Sequence, residues 1–403
     1  MAVVKDHSTE KRRQSLWDFT KQFPDSITVE RWLYQEKVYV QSMKCKAGYN
    51  MSMIEISKNG HPQLVWKCTH RPCEDCNRQQ KSLREGSFFS GLKIGMHQVL
   101  GIIWLYLYKV EMKGIRDLTG ASAPTVRTVI HLLYRLMNAD IKDEYMTIGG
   151  KDSDGNSIIV EVDESKFGKR KSHRGHRVEG VWVVGGVEKT PERKLFLTTV
   201  EDRKKDTLHL ILGNYIKAGS EIRTDCWKGY CGLSRLSGKQ YRHMTVNHAK
   251  EFKTVTGVHT NTIEGTWNGI KSLIRTRHRT APTMKYRLAE FIFRRKHAND
   301  LWGGVVKALK EVSFDKFAAQ DDVDEEFIYT EVRRECADLD HDDSEFGDED
   351  GWETETKKDV SNERKECANI AKKDMSSHDS EHEDDEQDGS YRLVNRKRKQ
   401  RRN

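Results

Sequence analysis

The pattern that most constrains the fold lies in residues 158–271, where short apolar runs alternate with segments of helical spacing. Such runs predict β-strands, and apolar residues three or four positions apart predict α-helices. The predicted order is strand, strand, strand, helix, strand, helix, strand, helix. The strands are predicted at residues 158–164, 179–187, 194–200, 222–225 and 240–246, and the first and last helices at residues 206–217 and 262–274. Interleaved strands and helices predict an α/β domain.

Three acids occupy matching positions in this pattern. Asp163 and Asp225 each end a predicted strand, and Glu264 lies in the closing helix. The order of elements is that of a ribonuclease-H-like fold, in which the first and fourth strands are neighbours, so the two aspartates would lie close together. Mg²⁺ prefers oxygen ligands, and two such ions about 4 Å apart stabilise the attacking and leaving oxygen atoms of phosphoryl transfer. One acid alone is typical of a solvated surface, whereas the ordered set predicts a two-metal site.

Other polar residues surround this predicted site. Lys271 follows Glu264 by two helical turns and lies on the same helix face as Trp267. Glu164 would point to the opposite face of the strand from Asp163. The basic loop after the first strand contains the candidate DNA contacts Lys169, Arg170, Lys171, His173, Arg174, His176 and Arg177. The two histidines are expected to contact phosphate rather than a metal, because no third soft ligand accompanies them.

Charge is distributed unevenly along the 403 residues. Residues 315–390 contain 29 acids and nine bases, and residues 391–403 contain seven bases and no acid. The formal net charge of +8 therefore leaves +21 on residues 1–314, which favours a polyanionic partner such as DNA. The acidic segment is predicted to be disordered, because it cannot bury enough apolar surface to fold alone. The basic cluster after it is typical of a nuclear localisation signal, with a nonspecific phosphate contact as the alternative.

The eight cysteines do not form a disulfide framework, which indicates a reducing compartment. Four of them fall close together in the sequence: Cys45, Cys68, Cys73 and Cys76. Their spacing predicts a degenerate zinc ribbon, because Gly48 stands where the first knuckle would have its second cysteine. Reduced, partly buried thiols in a vestigial ribbon are the alternative.

Residues 115–137 have the pattern of a helix-turn-helix, with Gly120 in the turn, Ser122 as the cap and Pro124 in the first turn of the second helix. The residues that the second helix would present to DNA are Thr125, Arg127 and Thr128. An ordinary helical hairpin is the alternative. Earlier in the chain, residues 27–35 are predicted to form a helix capped by Thr28, and residues 87–112 one or two packed helices.

These patterns divide the chain into six predicted segments. They are an N-terminal helical segment (1–44), a zinc-ribbon-like region (45–85), a helical, helix-turn-helix-like DNA-binding region (86–150), a ribonuclease-H-like catalytic domain (155–300), an acidic disordered tail (315–390) and a basic terminus (391–403). No apolar stretch reaches the roughly 18 residues of a membrane span, so no membrane partner is expected.

The stretches around the three acids resemble the Merlin superfamily of DNA transposases and related bacterial insertion-sequence transposases. The matching stretches are residues 160–165, Asp225 with Tyr230, His248, and residues 259–271, which read H-x-N-x-x-E-x-x-W-x-x-x-K. The resemblance implies that Asp163, Asp225 and Glu264 form the metal-binding catalytic triad of a DDE enzyme, with Lys271 as an auxiliary residue. It also implies Mg²⁺ or Mn²⁺ as cofactor.

The mechanism that this resemblance implies is hydrolysis of a DNA strand, followed by attack of the freed 3′-hydroxyl on target DNA. The expected partners are then terminal inverted repeats, target DNA and further copies of the chain. The acidic tail and the basic terminus, which lie outside the resemblance, suggest the nucleus as the location. Two other functions fit the sequence: a domesticated, non-catalytic nuclear DNA-binding protein and a structure-selective nuclease. The three intact acids favour the transposase over the domesticated protein, because a purely binding role has no reason to retain them.

Overall fold

A computed structural model describes residues 14–58, 61–70, 76, 78–141, 143–168, 180–246, 259–275 and 278–314. The helices are α1 (Leu16–Gln22), α2 (Ser26–Gln35), α3 (Met96–Leu107), α4 (Met112–Thr119), α5 (Ala123–Asp140), α6 (Asp143–Met146), α7 (Lys205–Tyr215), α8 (Asn261–Leu273), α9 (Ala281–Lys296) and α10 (Leu301–Glu311). The strands are β1 (Ser52–Lys58), β2 (His61–Lys67), β3 (Gln80–Ser82), β4 (Ile148–Gly149), β5 (Ile159–Phe167), β6 (Val181–Glu188), β7 (Leu195–Val200), β8 (Ile216–Lys217), β9 (Glu221–Asp225) and β10 (Arg242–Val246). Among these residues no helix is long and apolar enough to span a membrane. The predicted acidic tail and basic terminus lie outside the described residues.

The largest sheet has five strands in the order β10-β9-β5-β6-β7. β5, β6 and β7 form an antiparallel meander, whereas β9 runs parallel to β5 and β10 parallel to β9. The first and fourth predicted strands of this segment, β5 and β9, are therefore neighbours, as the order of elements predicts. This mixed α/β arrangement is consistent with a ribonuclease-H-like domain.

Each face of this sheet is covered by its own apolar layer. On one face, α8 and α9 contribute residues such as Ile263 and Ile292 to a buried core. On the other face, Leu208 of α7 packs in a second core with Val160 and Val162 of β5. Side chains alternate along a strand, so the odd-numbered residues of β5, such as Glu161 and Asp163, lie on the other face of the sheet and point toward α8.

The first strand of this sheet is longer than the sequence predicts. β5 continues past Asp163 to Phe167, so the prediction that Asp163 lies at the strand tip is wrong. The antiparallel pairing with β6 persists to Phe167, whereas the parallel pairing with β9 ends at Glu161. The antiparallel partner therefore keeps the strand extended beyond the point where its parallel partner leaves it. Asp163 lies just past the last residue paired with β9.

Other predicted elements also differ from the structure. The helix predicted between the fourth and fifth strands is replaced by two short 3₁₀ turns, at Lys228–Tyr230 and Leu233–Arg235. Residues 216–217 leave the predicted helix and form β8, which pairs with β4. One or two helices are predicted over residues 87–112, but within this range α3 begins only at Met96 and ends at Leu107.

The cap of α2 is also different from the predicted one. The helix begins at Ser26, and Asp25 is its N-cap. The Asp25 carboxylate accepts a hydrogen bond from the backbone N–H of Thr28 at 2.8 Å. Thr28 is therefore a residue that the cap binds, and the prediction that it caps the helix is wrong. Aspartate satisfies the unpaired N–H groups of a first helical turn at least as well as threonine does.

The predicted helix-turn-helix pattern forms a pair of consecutive helices. α4 ends at Gly120, whose φ of 65° lies in the left-handed region that glycine adopts readily. Ser122 then caps α5 by accepting a hydrogen bond from the Thr125 N–H, and Pro124 lies in the first turn. α5 continues to Asp140, three residues beyond its predicted end, because most of its length is buried against other helices.

α9 is rich in basic residues, and several of its positive charges are directed into the protein. Glu290, which is 2% exposed, accepts hydrogen bonds from the Tyr106 hydroxyl at 2.9 Å and from Arg294 Nε at 2.8 Å. Arg287 lies 3.5 Å from the same carboxylate. Arg294 also donates to the Leu107 carbonyl at 2.7 Å. Since Tyr106 and Leu107 belong to α3, this buried network joins the N-terminal helices to α9.

We predict that Glu290→Gln lowers the free energy of unfolding by about 3–5 kcal/mol, because it leaves two buried guanidinium groups without their counter-charge. Urea denaturation of wild type and variant measures this loss. The matched control is Glu311→Gln, which removes one partner of an exposed ion pair on α10 with an N–O distance of 3.9 Å. That change is expected to cost less than about 1 kcal/mol. Equal losses in the two variants would contradict the assigned role of Glu290.

Candidate functional site

The pairing of β5 with β9 brings two of the predicted site residues together. The parallel register matches Ile159 with Glu221 and Glu161 with Arg223. Continued by two residues, the same register sets Asp163 level with Asp225, the last residue of β9. Burial, together with the charges of Glu164 and Asp225, raises the pKa of Asp163 to about 8. The two aspartates are therefore close enough to repel each other.

Both aspartates are also held by hydrogen bonds from tryptophans. The indole Nε1 of Trp267, in α8, donates to Asp163 Oδ2 at 2.9 Å. The backbone N–H of Trp227 donates to Asp225 Oδ1 at 2.9 Å. Each bond fixes one carboxylate oxygen, so the orientation of both acids is set by the protein itself.

A glycine in β6 permits the contact between Trp267 and Asp163. Gly185 lies directly across from Asp163 in the antiparallel pair. A Cβ atom at Gly185 would lie 2.9 Å from the Trp267 ring. Trp267 is 5% exposed and packs against Phe167 with ring centroids 6.1 Å apart. The sequence placed Trp267 on the same helix face as Glu264 and Lys271, but gave no sign of this hydrogen bond.

Glu264 and Lys271 lie on α8, which Trp267 anchors to β5. Glu264 is exposed, lies one turn before Trp267, and accepts a hydrogen bond from the Thr260 hydroxyl at 3.3 Å. Lys271 is half-buried, one turn after Trp267, and its backbone carbonyl accepts a hydrogen bond from Arg279. The structure thus brings Asp163 and Asp225 together and places Glu264 on a helix fixed to one of them. The catalytic roles of all four predicted residues stay predictions.

Glu164 lies on the opposite face of the sheet, which confirms the predicted alternation. Its side chain is 5% exposed, accepts a hydrogen bond from the Tyr230 hydroxyl and lies 3.4 Å from Arg203. The Arg203 guanidinium in turn lies over the rings of Trp182 and Trp227, at 3.8 Å and 4.5 Å from their centroids. Burial and the nearby charge of Asp225 raise the pKa of Glu164 to about 7.

Sequence reasoning missed the environment of Glu164, because a charged residue on the alternate face of a strand is most often exposed. The structure instead buries it under α7 and the turn that follows Asp225. A signal that could have found it is Tyr230, which the resemblance singles out and whose hydroxyl needs a buried partner.

The carboxylates suit a hard divalent cation. Asp163, Asp225 and Glu264 offer only oxygen donors, which Mg²⁺ and Mn²⁺ prefer. The charge of Asp225 raises the proton affinity of Asp163, and a divalent cation supplies the opposite charge that would relieve this repulsion. The arrangement therefore fits the metal that the resemblance implies.

The helix-turn-helix residues present little free surface. Thr128 is exposed, whereas Thr125 and Arg127 are half-buried. The Thr128 hydroxyl donates to the Pro124 carbonyl at 3.0 Å, and Thr125 bonds to the Ser122 hydroxyl. Contact of these three residues with DNA stays a prediction. The basic loop residues Lys169, Arg170, Lys171, His173, Arg174, His176 and Arg177 lie outside the described residues.

Three of the four predicted zinc ligands come together. The sulfur atoms of Cys45, Cys68 and Cys76 all lie within 4.8 Å of one another, and the three residues are buried. A tetrahedral zinc site with Zn–S bonds of about 2.3 Å separates its sulfur atoms by about 3.8 Å, so this cluster is compatible with zinc. Gly48, at a φ of 82°, closes a tight turn onto the Cys45 carbonyl. Cys73, the predicted fourth ligand, lies outside the described residues.

We predict that about one equivalent of zinc co-purifies with the protein, and that Cys45→Ser and Cys76→Ser each remove most of it. Elemental analysis with thermal unfolding tests this. The control is Cys226→Ser, because Cys226 lies outside the cluster, where its thiol donates to the Val246 carbonyl at 3.6 Å, and its loss should leave the zinc content unchanged. Folded wild-type protein without zinc would favour the alternative of reduced, buried thiols.

We predict that the metal-free protein loses stability as pH rises through the window set by Asp163. The pKa of this group is 3.8 in an unfolded chain and about 8 in the fold. Between these values the folded state binds more protons than the unfolded state, so the free energy of unfolding falls with rising pH. Asp163→Asn removes this contribution and should flatten the curve.

Melting temperatures measured in chelator from roughly pH 5 to pH 8 check this prediction. The control is Asp154→Asn, in an exposed turn before β5. Parallel curves for wild type and Asp163→Asn would contradict the proton affinity assigned to Asp163.

Comparison with known proteins relates the segment that contains this site to a protein family. Residues 154–296 match the family model for an ISXO2-like transposase domain. The matched range runs from the turn before β5 to the end of α9 and includes Asp163, Asp225, Glu264 and Lys271. No curated protein matches the chain. The domain match supports a DDE transposase family, a transposase-like role on DNA and an enzyme of the nucleotidyl-transferase type, a class that generally uses a divalent metal.

Proposed function

We propose that the protein is a DDE-type DNA transposase, which cleaves DNA at the terminal inverted repeats of its element and joins the freed end to target DNA. One observation carries the proposal. Within the segment that matches the transposase domain, β5 and β9 set Asp163 beside Asp225, under a helix that bears Glu264. The Merlin superfamily is the specific group that the sequence motif suggests.

The reaction consists of two phosphoryl transfers. In the first, water attacks a phosphodiester, the bond to the 3′ oxygen breaks, and a free 3′-hydroxyl and a 5′-phosphate result. In the second, that hydroxyl attacks a target phosphodiester, a new bond to phosphorus forms, and the 3′ oxygen of the target strand leaves with a proton. The number of phosphodiesters is unchanged in the second step, so it needs no external energy source.

The residues of the site have separate tasks in this proposal. Asp163, Asp225 and Glu264 would hold the divalent cations, which when bound supply Lewis acidity at the attacking and leaving oxygen atoms. The hydrogen bonds from Trp267 and from the Trp227 N–H hold the two aspartates in one orientation before DNA arrives. Lys271, on the same helix face as Glu264, would contact a phosphate.

The remaining charge fits a DNA partner. The net charge of +21 on residues 1–314 favours binding that weakens steeply with salt, because each phosphate contact releases condensed counterions. We propose that the helix-turn-helix residues and the basic loop after β5 contact the repeats, and that several copies of the chain assemble on them. We also propose that the basic terminus directs the protein to the nucleus.

We predict that Asp163→Asn, Asp225→Asn and Glu264→Gln each reduce DNA cleavage at least about a hundredfold, because each removes a charged oxygen ligand. The triple variant should be little worse than any single one, since the three acids act as a unit. DNA binding should be retained or strengthened, because a negative charge near the phosphates is lost. Cleavage and gel-shift assays with and without Mg²⁺ measure both effects.

The control for this series is Glu192→Gln, in the exposed turn between β6 and β7. Glu164 is unsuitable as a neutral control, because its buried carboxylate binds Tyr230. Cleavage that survives excess chelator, or that survives loss of the three acids, would contradict the proposal.

A donor-plasmid assay separates the proposed function from its two rivals. A plasmid carries a marker between candidate terminal repeats, and excision and reintegration are scored separately. Excision with reintegration supports a transposase, and cutting alone supports a structure-selective nuclease. Binding without cutting supports a domesticated DNA-binding protein.

A further inference from the structure

A buried carboxylate connects the strand that bears Asp163 to the helix that bears Glu264. Glu161 lies two residues before Asp163 in β5 and is 0% exposed. Its Oε2 accepts hydrogen bonds from the backbone N–H groups of Thr262 at 2.7 Å and Ile263 at 3.1 Å. Its Oε1 accepts one from the Thr262 hydroxyl at 3.0 Å. These partners lie one and two residues before Glu264.

Glu161 takes the place of the usual helix cap. The N-cap residue of α8 is Thr260, and its side chain makes no capping hydrogen bond. The Thr260 hydroxyl donates instead to Glu264 Oε1. The first N–H groups of α8 are therefore satisfied from the neighbouring strand, by a negative charge at the positive end of the helix dipole.

The apolar contacts of α8 do not fix its position along the sheet. Ile263, Trp267 and Ile270 are buried between the helix and the strands. Apolar burial is not directional, so it tolerates small shifts and rotations of a helix. Hydrogen bonds have a defined geometry, so they tolerate such shifts and rotations less well. Four of them connect α8 to β5. Three are donated by Thr262 and Ile263 to Glu161, and one by the Trp267 indole to Asp163. Glu264 lies between these two points of attachment.

Glu161 is unsuited to bind a cation itself. Three hydrogen bonds occupy most of the roughly four acceptor positions of its carboxylate. The His259 ring also lies 3.6 Å from Oε1, and the other nitrogen of that ring contacts Lys189 at 3.0 Å. The Glu161 carboxylate is therefore fully buried.

We infer that Glu161 is a positioning residue that sets the place of Glu264 relative to Asp163, and so determines how tightly the site holds a divalent cation. This inference rests on the proposed metal-binding role of the two acids. The partners that orient metal ligands typically change metal affinity by about 10–100-fold when they are lost.

The test compares Glu161→Gln with a matched control. The glutamine keeps the size of the side chain but removes its negative charge, and its amide nitrogen cannot accept the hydrogen bond that the Thr262 hydroxyl donates. A neutral acceptor also binds the Thr262 and Ile263 N–H groups more weakly than a carboxylate does. The control is Glu188→Gln. Glu188 is 5% exposed and also accepts a backbone hydrogen bond, from Gly149 at 2.7 Å, but its hydrogen-bond partners among the described residues, Gly149 and Thr190, lie outside α8.

Three measurements are made on the full chain: melting temperature, Mn²⁺ affinity by calorimetry, and hydrogen exchange at the amides of Thr262 and Ile263. Both variants should lower the melting temperature. Only Glu161→Gln should weaken Mn²⁺ binding, by about tenfold or more, and accelerate exchange at the two amides. The Mn²⁺ site is identified by its loss in Asp163→Asn.

A Glu161→Gln variant that is destabilised like the control, with unchanged Mn²⁺ affinity and unchanged exchange, would overturn the inference. A wild-type protein that binds Mn²⁺ at this site but cleaves no DNA would count against the proposed function alone. In that case the affinity and exchange data still decide whether Glu161 positions the helix.

Discussion

The parallel pairing of β5 and β9 is the constraint on which the candidate site depends. It sets Asp163 level with Asp225 in a half-buried setting, where like charges repel strongly. Such an arrangement costs free energy in the absence of a cation, and the surrounding contacts hold it in place. Trp267, the Trp227 N–H and the backbone of β6 each restrict one of the two acids. A cation bound by the proposed ligands would relieve this repulsion, which is how a preformed metal site would gain affinity.

The site is also connected to the N-terminal helices. α9 packs against the sheet on one side and against α3 and α5 on the other, through the buried Glu290 network. A second contact joins Lys296 and His297 at the end of α9 to Asp140 at the end of α5. Burial alone would raise the pKa of Asp140, but the hydrogen bonds from His297 and Lys296 outweigh it and lower the pKa. DNA bound by the helix-turn-helix would therefore be held in a fixed relation to the carboxylates.

Periodicity was sufficient to predict the order of the core strands along the chain. The likeness of that order to a ribonuclease-H-like fold then predicted that Asp163 and Asp225 are neighbours. Periodicity was insufficient wherever a partner lies far away in the chain. Glu161 has the sequence pattern of a solvent-facing strand residue, because its partner Thr262 is 101 positions away. The full length of β5 was likewise hidden, since it depends on pairing with β6 rather than on the apolar run itself. The cap of α2 was misplaced because Asp25 and Thr28 both suit that position.

Metal-directed cleavage of the protein would show whether Asp163, Asp225 and Glu264 surround one metal site. Fe²⁺ is exchanged for the native cation, and ascorbate with peroxide generates hydroxyl radicals at the ion, which cut the nearby backbone. If the three acids surround one cation, the cuts fall in β5, at the end of β9 and in the first turns of α8, and excess Mg²⁺ suppresses all of them. Cuts confined to one of these elements, or cuts that Mg²⁺ does not suppress, would contradict this arrangement.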